Sequence, residues 1–102
     1  MTAQELNQMI IDGYPPLIID VRSRLEFKTG HIPGAIHVSM YKLAFRLTKL
    51  PKADGRTAVL TCEHGPRAQM AKPFVAKAGY IQLEMLEGHM AGWRKAGFAI
   101  EK

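Results

Sequence analysis

The chain has 102 residues, which suits one domain of the usual size of roughly 100–150 residues, and we expect a single domain over residues 1–102. Hydrophobic residues make up 47% of the chain and charged residues 23%, which predicts a packed core and excludes a disordered polar tail. The net charge of +5 favours anionic small molecules or acidic partners. The basic residues are dispersed and no recognition motif accompanies them, which argues against nucleic acid.

Three classes of protein are excluded by short-range features. No apolar run approaches the roughly 20 residues of a membrane helix, so we expect no membrane partner. The first twelve residues lack the pattern of a signal peptide, so with Met1 as the natural start we expect a cytoplasmic protein. Cys62 is the only cysteine, which excludes an internal disulfide and a multi-cysteine zinc site. The four histidines show no zinc-ligand spacing, and we predict neither a metal nor a cofactor.

The first half of the chain predicts a helix, a strand, a short helix and an extended segment. Thr2 and Glu5 form a capping box, which starts a helix over residues 2–12. The continuous apolar run at 17–21 predicts a buried strand of a parallel sheet. A second capping box, Ser23 with Glu26, starts a short helix that ends near Gly30. An extended segment follows at residues 34–38.

The second half continues the alternation of helices and strands. Helical spacing of Leu43, Leu47 and Leu50 predicts an amphipathic helix over residues 41–50. Its basic edge could dock an acidic carrier or steer an anion; it comprises Lys42, Arg46 and Lys49, extended by Lys52 and Arg56. Strands at 57–61 and 81–86 then alternate with helices at 66–78 and 90–96. This order predicts an α/β fold with a central parallel sheet.

Cys62 comes at the carboxyl end of the strand 57–61, which is the edge of an open α/β sheet where ligands bind. Successive backbone N–H groups and the start of the next helix can hold an anion there, so we expect a lowered pKa for Cys62 and a nucleophilic thiolate. Gly65 permits an unusual backbone conformation, and Pro66 fits the first turn of a helix. The alternative is an inert buried thiol. The predicted anion-binding residues are Glu63, His64, Gly65, Pro66, Arg67 and Ala68, with amides from all but Pro66.

At this point the chain resembles the single-domain sulfurtransferases of the rhodanese family. The amino-terminal likeness lies in residues 20–22, 26–27 and 30–35, which read DVR, EF and GHIPGA. The active-site likeness is Cys62-x-x-Gly65-x-Arg67-Ala68. The carboxyl-terminal likeness comprises Gly79-Tyr80, Leu86-Glu87-Gly88, Trp93 and Gly97. These motifs occur in the family's order over nearly the whole chain, which makes a chance match improbable.

The resemblance implies a three-layer α/β/α fold and a persulfide mechanism. The Cys62 thiolate would take sulfane sulfur from a small anionic donor such as thiosulfate, and a thiol, sulfur-carrier or cyanide acceptor would then remove it. The family's sulfurtransferases have a six-residue loop from cysteine to arginine, whereas related phosphatases have one residue more. The spacing from Cys62 to Arg67 therefore favours sulfur over phosphate. The alternatives are a non-enzymatic regulatory or docking module and, disfavoured by loop length, a phosphatase or arsenate reductase.

Several side-chain roles stay open at this stage. Arg67 could bind the donor anion or brace the loop through a carboxylate, and Arg22 could contact the substrate or form an ion pair with Asp20. His64 could influence the choice of donor or acceptor. His89 stands where the family usually has a second glycine, and we interpret it as a surface substitution near the edge of the site. The resemblance also implies a short strand before the first helix, for which Met1 leaves almost no room. That strand would be absent here, or the sequence is a domain of a longer protein.

Overall fold

The computed structural model describes residues 1–102. Four strands alternate with five helices, as the sequence pattern predicts. None of the helices has the length and apolar character that crossing a membrane requires. The elements are α1 (Ala3–Ile11), β1 (Leu17–Asp20), α2 (Arg24–Thr29), β2 (Ile36–His37), α3 (Met40–Ala44), β3 (Thr57–Thr61), α4 (Pro66–Ala76), β4 (Gln82–Met85) and α5 (His89–Ala96).

The strands form one parallel sheet in the order β2-β1-β3-β4. β1 and β3 lie at its centre, with Ile19 of β1 opposite Leu60 of β3. Because all four strands are parallel, their carboxyl ends meet at one edge, where Cys62 follows β3. The predicted parallel α/β sheet is therefore confirmed.

Helices cover both faces of the sheet, which gives three layers. Successive side chains of a strand point to opposite faces, so Ile18 and Ile19 enter different halves of the core. Ile18 packs in a cluster that includes Leu6 of α1 and Trp93 of α5. Ile19 packs in a second cluster with residues of α3 and α4, and this second cluster also contains Cys62.

Both predicted capping boxes are present. The Thr2 hydroxyl accepts from the Glu5 N–H at 3.0 Å while the Glu5 carboxylate accepts from the Thr2 N–H at 3.0 Å. Ser23 and Glu26 make the same reciprocal pair at the start of α2. Each box satisfies two N–H groups that have no partner inside the helix, which explains why these helices begin where the sequence predicts.

The predicted helix over residues 41–50 is wrong in its length, because α3 ends at Ala44. Arg46 adopts a left-handed conformation with φ of 57°, and the Leu47 N–H donates to the Lys42 carbonyl at 2.8 Å. This is a Schellman ending, which usually has glycine at the left-handed position. The leucine spacing continues past the end of the helix, and Leu47 is exposed. The basic residues from Arg46 onward therefore do not share one helical edge with Lys42.

The two ends of the sheet also differ from the expectation. The extended segment predicted at 34–38 contains only two strand residues, because β2 is an edge strand that pairs with β1 alone. No strand precedes α1. Met1 instead lies beside the end of β4, where its amino group donates to the Met85 carbonyl at 3.1 Å and its own carbonyl accepts from the Glu87 N–H at 2.9 Å.

The Schellman ending of α3 gives a stability prediction. Replacing Arg46 with glycine removes the left-handed strain, so we expect the free energy of unfolding to rise by about 0.5–1 kcal/mol. The matched control, Lys42→Gly, removes the same charge but places glycine inside α3, and it should lower the free energy of unfolding by about 1 kcal/mol. Urea unfolding measures both. Equal destabilisation by the two variants would contradict the assigned end of α3.

Candidate active site

Cys62 lies at the carboxyl end of β3 and its side chain is fully buried. Its Sγ accepts a hydrogen bond from the Gly65 N–H at 3.0 Å. The residues from Cys62 to Ala68, called the Cys62 loop below, thus turn back on the sulfur before α4 begins. An N–H aimed at a sulfur atom stabilises negative charge on it, which suits a thiolate.

The turn depends on Gly65. Its φ is 121° and its ψ is −41°, a conformation that residues with a side chain rarely adopt. A Cβ atom at this position would also stand 3.2 Å from Nε2 of His89, which is closer than almost all real Cβ contacts. Pro66 follows as the first residue of α4, where a missing N–H costs nothing.

The other N–H groups of the Cys62 loop have no protein partner. The first backbone bond of α4 runs from Gln69 to the Gly65 carbonyl, and the N–H groups of Glu63, His64, Arg67 and Ala68 donate to no backbone or side-chain acceptor. Such groups at the start of a helix attract negative charge, and the helix dipole adds to this attraction. The structure therefore brings the predicted amide donors together beside Cys62.

Arg67 is held by Glu26 of α2. Its Nη1 donates to Glu26 Oε1 at 2.6 Å and its Nη2 to Oε2 at 2.9 Å, a two-point pair between half-buried side chains. This pair lowers the pKa of Glu26 to about 2 and raises that of Arg67. The geometry thus corresponds to the bracing alternative for Arg67. Contact between Arg67 and an anion stays a prediction.

Arg22 forms the ion pair with Asp20 that was one of its two expected roles. Its buried guanidinium donates to Asp20 Oδ2 at 2.8 Å and to the Gly30 carbonyl at 2.7 Å. Nη1 reaches Glu63 Oε1 at 3.4 Å, and Arg94 of α5 pairs with the same carboxylate. Arg22 thereby ties the end of β1 to the Cys62 loop through Glu63.

The remaining predicted positions divide between loop and core. His64 is exposed, and Ala68 is buried against the sheet. Trp93 lies in the core. His31 has a structural role, since its Nδ1 bonds to the Phe27 carbonyl at 2.8 Å and its ring stacks on Phe27.

The interpretation of His89 as a surface substitution is wrong. The side chain is half-buried, and its Nδ1 accepts from the Cys62 N–H at 3.3 Å. Burial, together with the neighbouring His64, lowers the pKa of His89. The only signal in the sequence was that His89 stands where the family usually has glycine. That signal did not reveal the contact with Cys62.

Sequence reasoning also missed a cavity of about 290 Å³ next to the Cys62 loop. Arg67 forms one wall, and the exposed cations Arg24 and Lys42 line it without pairing with any carboxylate. The available signal was position, because Arg24 follows β1 and Lys42 follows β2, so both lie at the edge of the sheet that carries Cys62.

Known proteins are similar to this chain in sequence. A protein named sulfurtransferase from Allochromatium vinosum is 29% identical over 98 residues, which are 96% of this chain and 90% of that protein. A thiosulfate sulfurtransferase GlpE from Shewanella oneidensis is 31% identical over 80 residues, 78% of this chain and 76% of that protein. The probable adenylyltransferase/sulfurtransferase MoeZ of Mycobacterium tuberculosis is 37% identical over 97 residues, which are 93% of this chain and 24% of MoeZ.

A solved structure has a fold similar to that of this chain. The crystal structure of BH2092 from Bacillus halodurans matches with a TM-score of 0.85 at 26% identity, covering 99% of this chain and 74% of that one. The family model described as Rhodanese-like domain matches residues 2–96. Since that match spans nearly the whole chain and the three-layer fold agrees with it, the chain belongs to the rhodanese-like domain family.

Proposed function

We propose that the protein is a rhodanese-type sulfurtransferase that carries sulfane sulfur on Cys62. The observation that carries this proposal is the Gly65 N–H held 3.0 Å from Sγ, in a loop with four more N–H groups free to bind an anion. Relatives named sulfurtransferase and thiosulfate sulfurtransferase support the same class of reaction.

The proposed cycle has two displacement steps. The Cys62 thiolate attacks the outer sulfur of thiosulfate, the sulfur–sulfur bond of the donor breaks, and sulfite leaves with the bonding electron pair. Cys62 then carries a persulfide. A thiol or cyanide attacks the outer sulfur, takes it away, and returns the thiolate. The acceptor must come from outside, since the chain has no second cysteine.

The amides of the Cys62 loop support both steps. The outer persulfide sulfur carries a negative charge, and N–H groups already fixed in position stabilise such a charge without reorganising. Glu26 keeps Arg67 and the start of α4 in place. The loop thus supplies electrostatic stabilisation, and no side-chain base is required for a thiolate nucleophile.

The cavity beside Arg67 is the proposed entry for the anionic donor. Two unpaired cations at its rim raise the local concentration of thiosulfate, which carries two negative charges. The overall charge of +5 acts in the same direction. The small anionic donor expected from the sequence would therefore enter through this cavity.

The persulfide gives the first test. Thiosulfate should add about 32 Da, one sulfur atom, to the intact protein, and cyanide should remove it. Cys62→Ser should show no added mass, because its hydroxyl is a far weaker nucleophile than a thiolate. Intact-mass spectrometry measures each state. An unmodified wild-type mass after exposure to thiosulfate would contradict the proposed sulfurtransferase function. It would favour the alternative of a docking module without enzyme activity.

The cavity gives a second test through Arg24. We expect Arg24→Ala to raise KM for thiosulfate severalfold with little change in kcat, because the cation attracts the donor but does not take part in bond breaking. The effect should shrink at high ionic strength. Arg56→Ala removes an equal charge outside the cavity and serves as control. If both variants changed KM equally, the cavity would not be the donor entry.

A further inference from the structure

His89 connects the nucleophile to the turn of its own loop. Nδ1 accepts from the Cys62 N–H at 3.3 Å and lies 3.4 Å from the Thr61 hydroxyl oxygen. On the opposite side of the ring, Nε2 faces Gly65, where any added Cβ would stand 3.2 Å away. One imidazole therefore bonds to the Cys62 backbone and occupies the space that a side chain at position 65 would need.

The Cys62 N–H needs this acceptor because the sheet no longer provides one. β4 ends at Met85, and the last carbonyl of β3 to accept from that side is Leu60, bonded to the Leu86 N–H at 3.0 Å. Cys62 is the next residue that would pair with this neighbour. Its carbonyl accepts from the Met90 N–H at 3.0 Å, so the start of α5 holds both backbone groups of Cys62. A buried N–H without an acceptor is destabilising.

The backbone of His89 is itself in an unusual conformation. Its φ is 50°, in the left-handed region that favours glycine. The histidine backbone is held in this conformation, although glycine would adopt it with less strain. Such strain persists where neighbouring contacts impose it, and it is concentrated at functional sites.

We propose that neutral His89, with its proton on Nε2 and an acceptor at Nδ1, is a positioning residue for Cys62, and that protonation of Nδ1 disables sulfur loading at acid pH. A protonated Nδ1 is a donor, and it would face the Cys62 N–H, which is also a donor. Its other neighbour is the Thr61 hydroxyl oxygen, which can accept because its own proton goes to the Cys62 carbonyl at 3.1 Å. The bond that holds the Cys62 N–H is then lost. This inference rests on the proposed sulfurtransferase for its activity readout only.

The charges around His89 favour the neutral ring. His64 on the Cys62 loop carries charge of the same sign when protonated, and together with burial it holds the pKa of His89 below its usual value. Glu63 is occupied by Arg22 and Arg94. Glu87, in the turn before α5, lies 3.9 Å from the Met1 amino group. The sulfur of Cys62 opposes this trend when it is anionic.

The tautomer of His89 can be measured without any sulfur transfer. Imidazole ¹⁵N NMR of the wild-type protein at pH 7 should show Nδ1 unprotonated and Nε2 protonated, and titration should give a midpoint below that of an exposed histidine. A His89→Asn sample assigns the resonance. A proton on Nδ1, or a charged ring at pH 7, would overturn the proposal whether or not the protein transfers sulfur.

Two variants then test the acid switch. His89→Asn tolerates the left-handed backbone and keeps an acceptor oxygen that does not titrate, whereas His89→Gly relaxes the backbone but removes the acceptor. We expect the rate of persulfide formation in the Asn variant to depend on one proton fewer at acid pH. For each pH unit, its rate should therefore fall by a factor ten times smaller than the rate of wild type. The Gly variant should load sulfur severalfold more slowly at pH 7.5. Identical pH profiles for wild type and His89→Asn, or a wild-type rate in His89→Gly, would contradict the positioning role.

Discussion

The hydrogen bond from the Gly65 N–H to the Cys62 sulfur requires the chain to reverse within three residues while the cysteine stays fixed at the end of β3. Only glycine reaches the φ of 121° that this reversal needs without strain, and a Cβ at this position would stand 3.2 Å from Nε2 of His89. The remaining amides of the loop follow from this turn. Once Gly65 is placed, the N–H groups at the start of α4 are left without a protein acceptor, as a site for an anion requires.

Contacts from three segments outside the loop keep that turn in place. Glu26 holds Arg67 from α2, Arg22 holds Glu63 from the end of β1, and His89 holds the Cys62 N–H from α5. They join segments that are distant in sequence, so the geometry at the sulfur depends on the whole three-layer fold. In the proposed cycle a single thiol is sufficient, because the backbone stabilises the charge and the exposed cations attract the anionic donor.

Local signals in the sequence were sufficient for β1, β3 and β4, the capping boxes and the turn that follows Cys62, because each depends on neighbouring residues. They failed at α3, where Arg46 occupies a position at which glycine would have marked the end of the helix. They were incomplete for Glu26, because its capping role accounts for the residue without its pairing with Arg67, 41 residues away. They missed the contact of His89 with Cys62, which exists only because α5 packs against the end of β3.

In the proposed cycle, backbone amides rather than side chains hold the charge on the transferred sulfur. Amide ¹H–¹⁵N spectra recorded before and after loading with thiosulfate test this claim directly. We expect downfield shifts of the amide protons of Glu63, His64, Arg67 and Ala68 in the loaded protein, reversed by cyanide, because the persulfide sulfur becomes a new acceptor for them. A loaded protein in which these four amides do not move, while the Arg67 guanidinium resonances do, would contradict it.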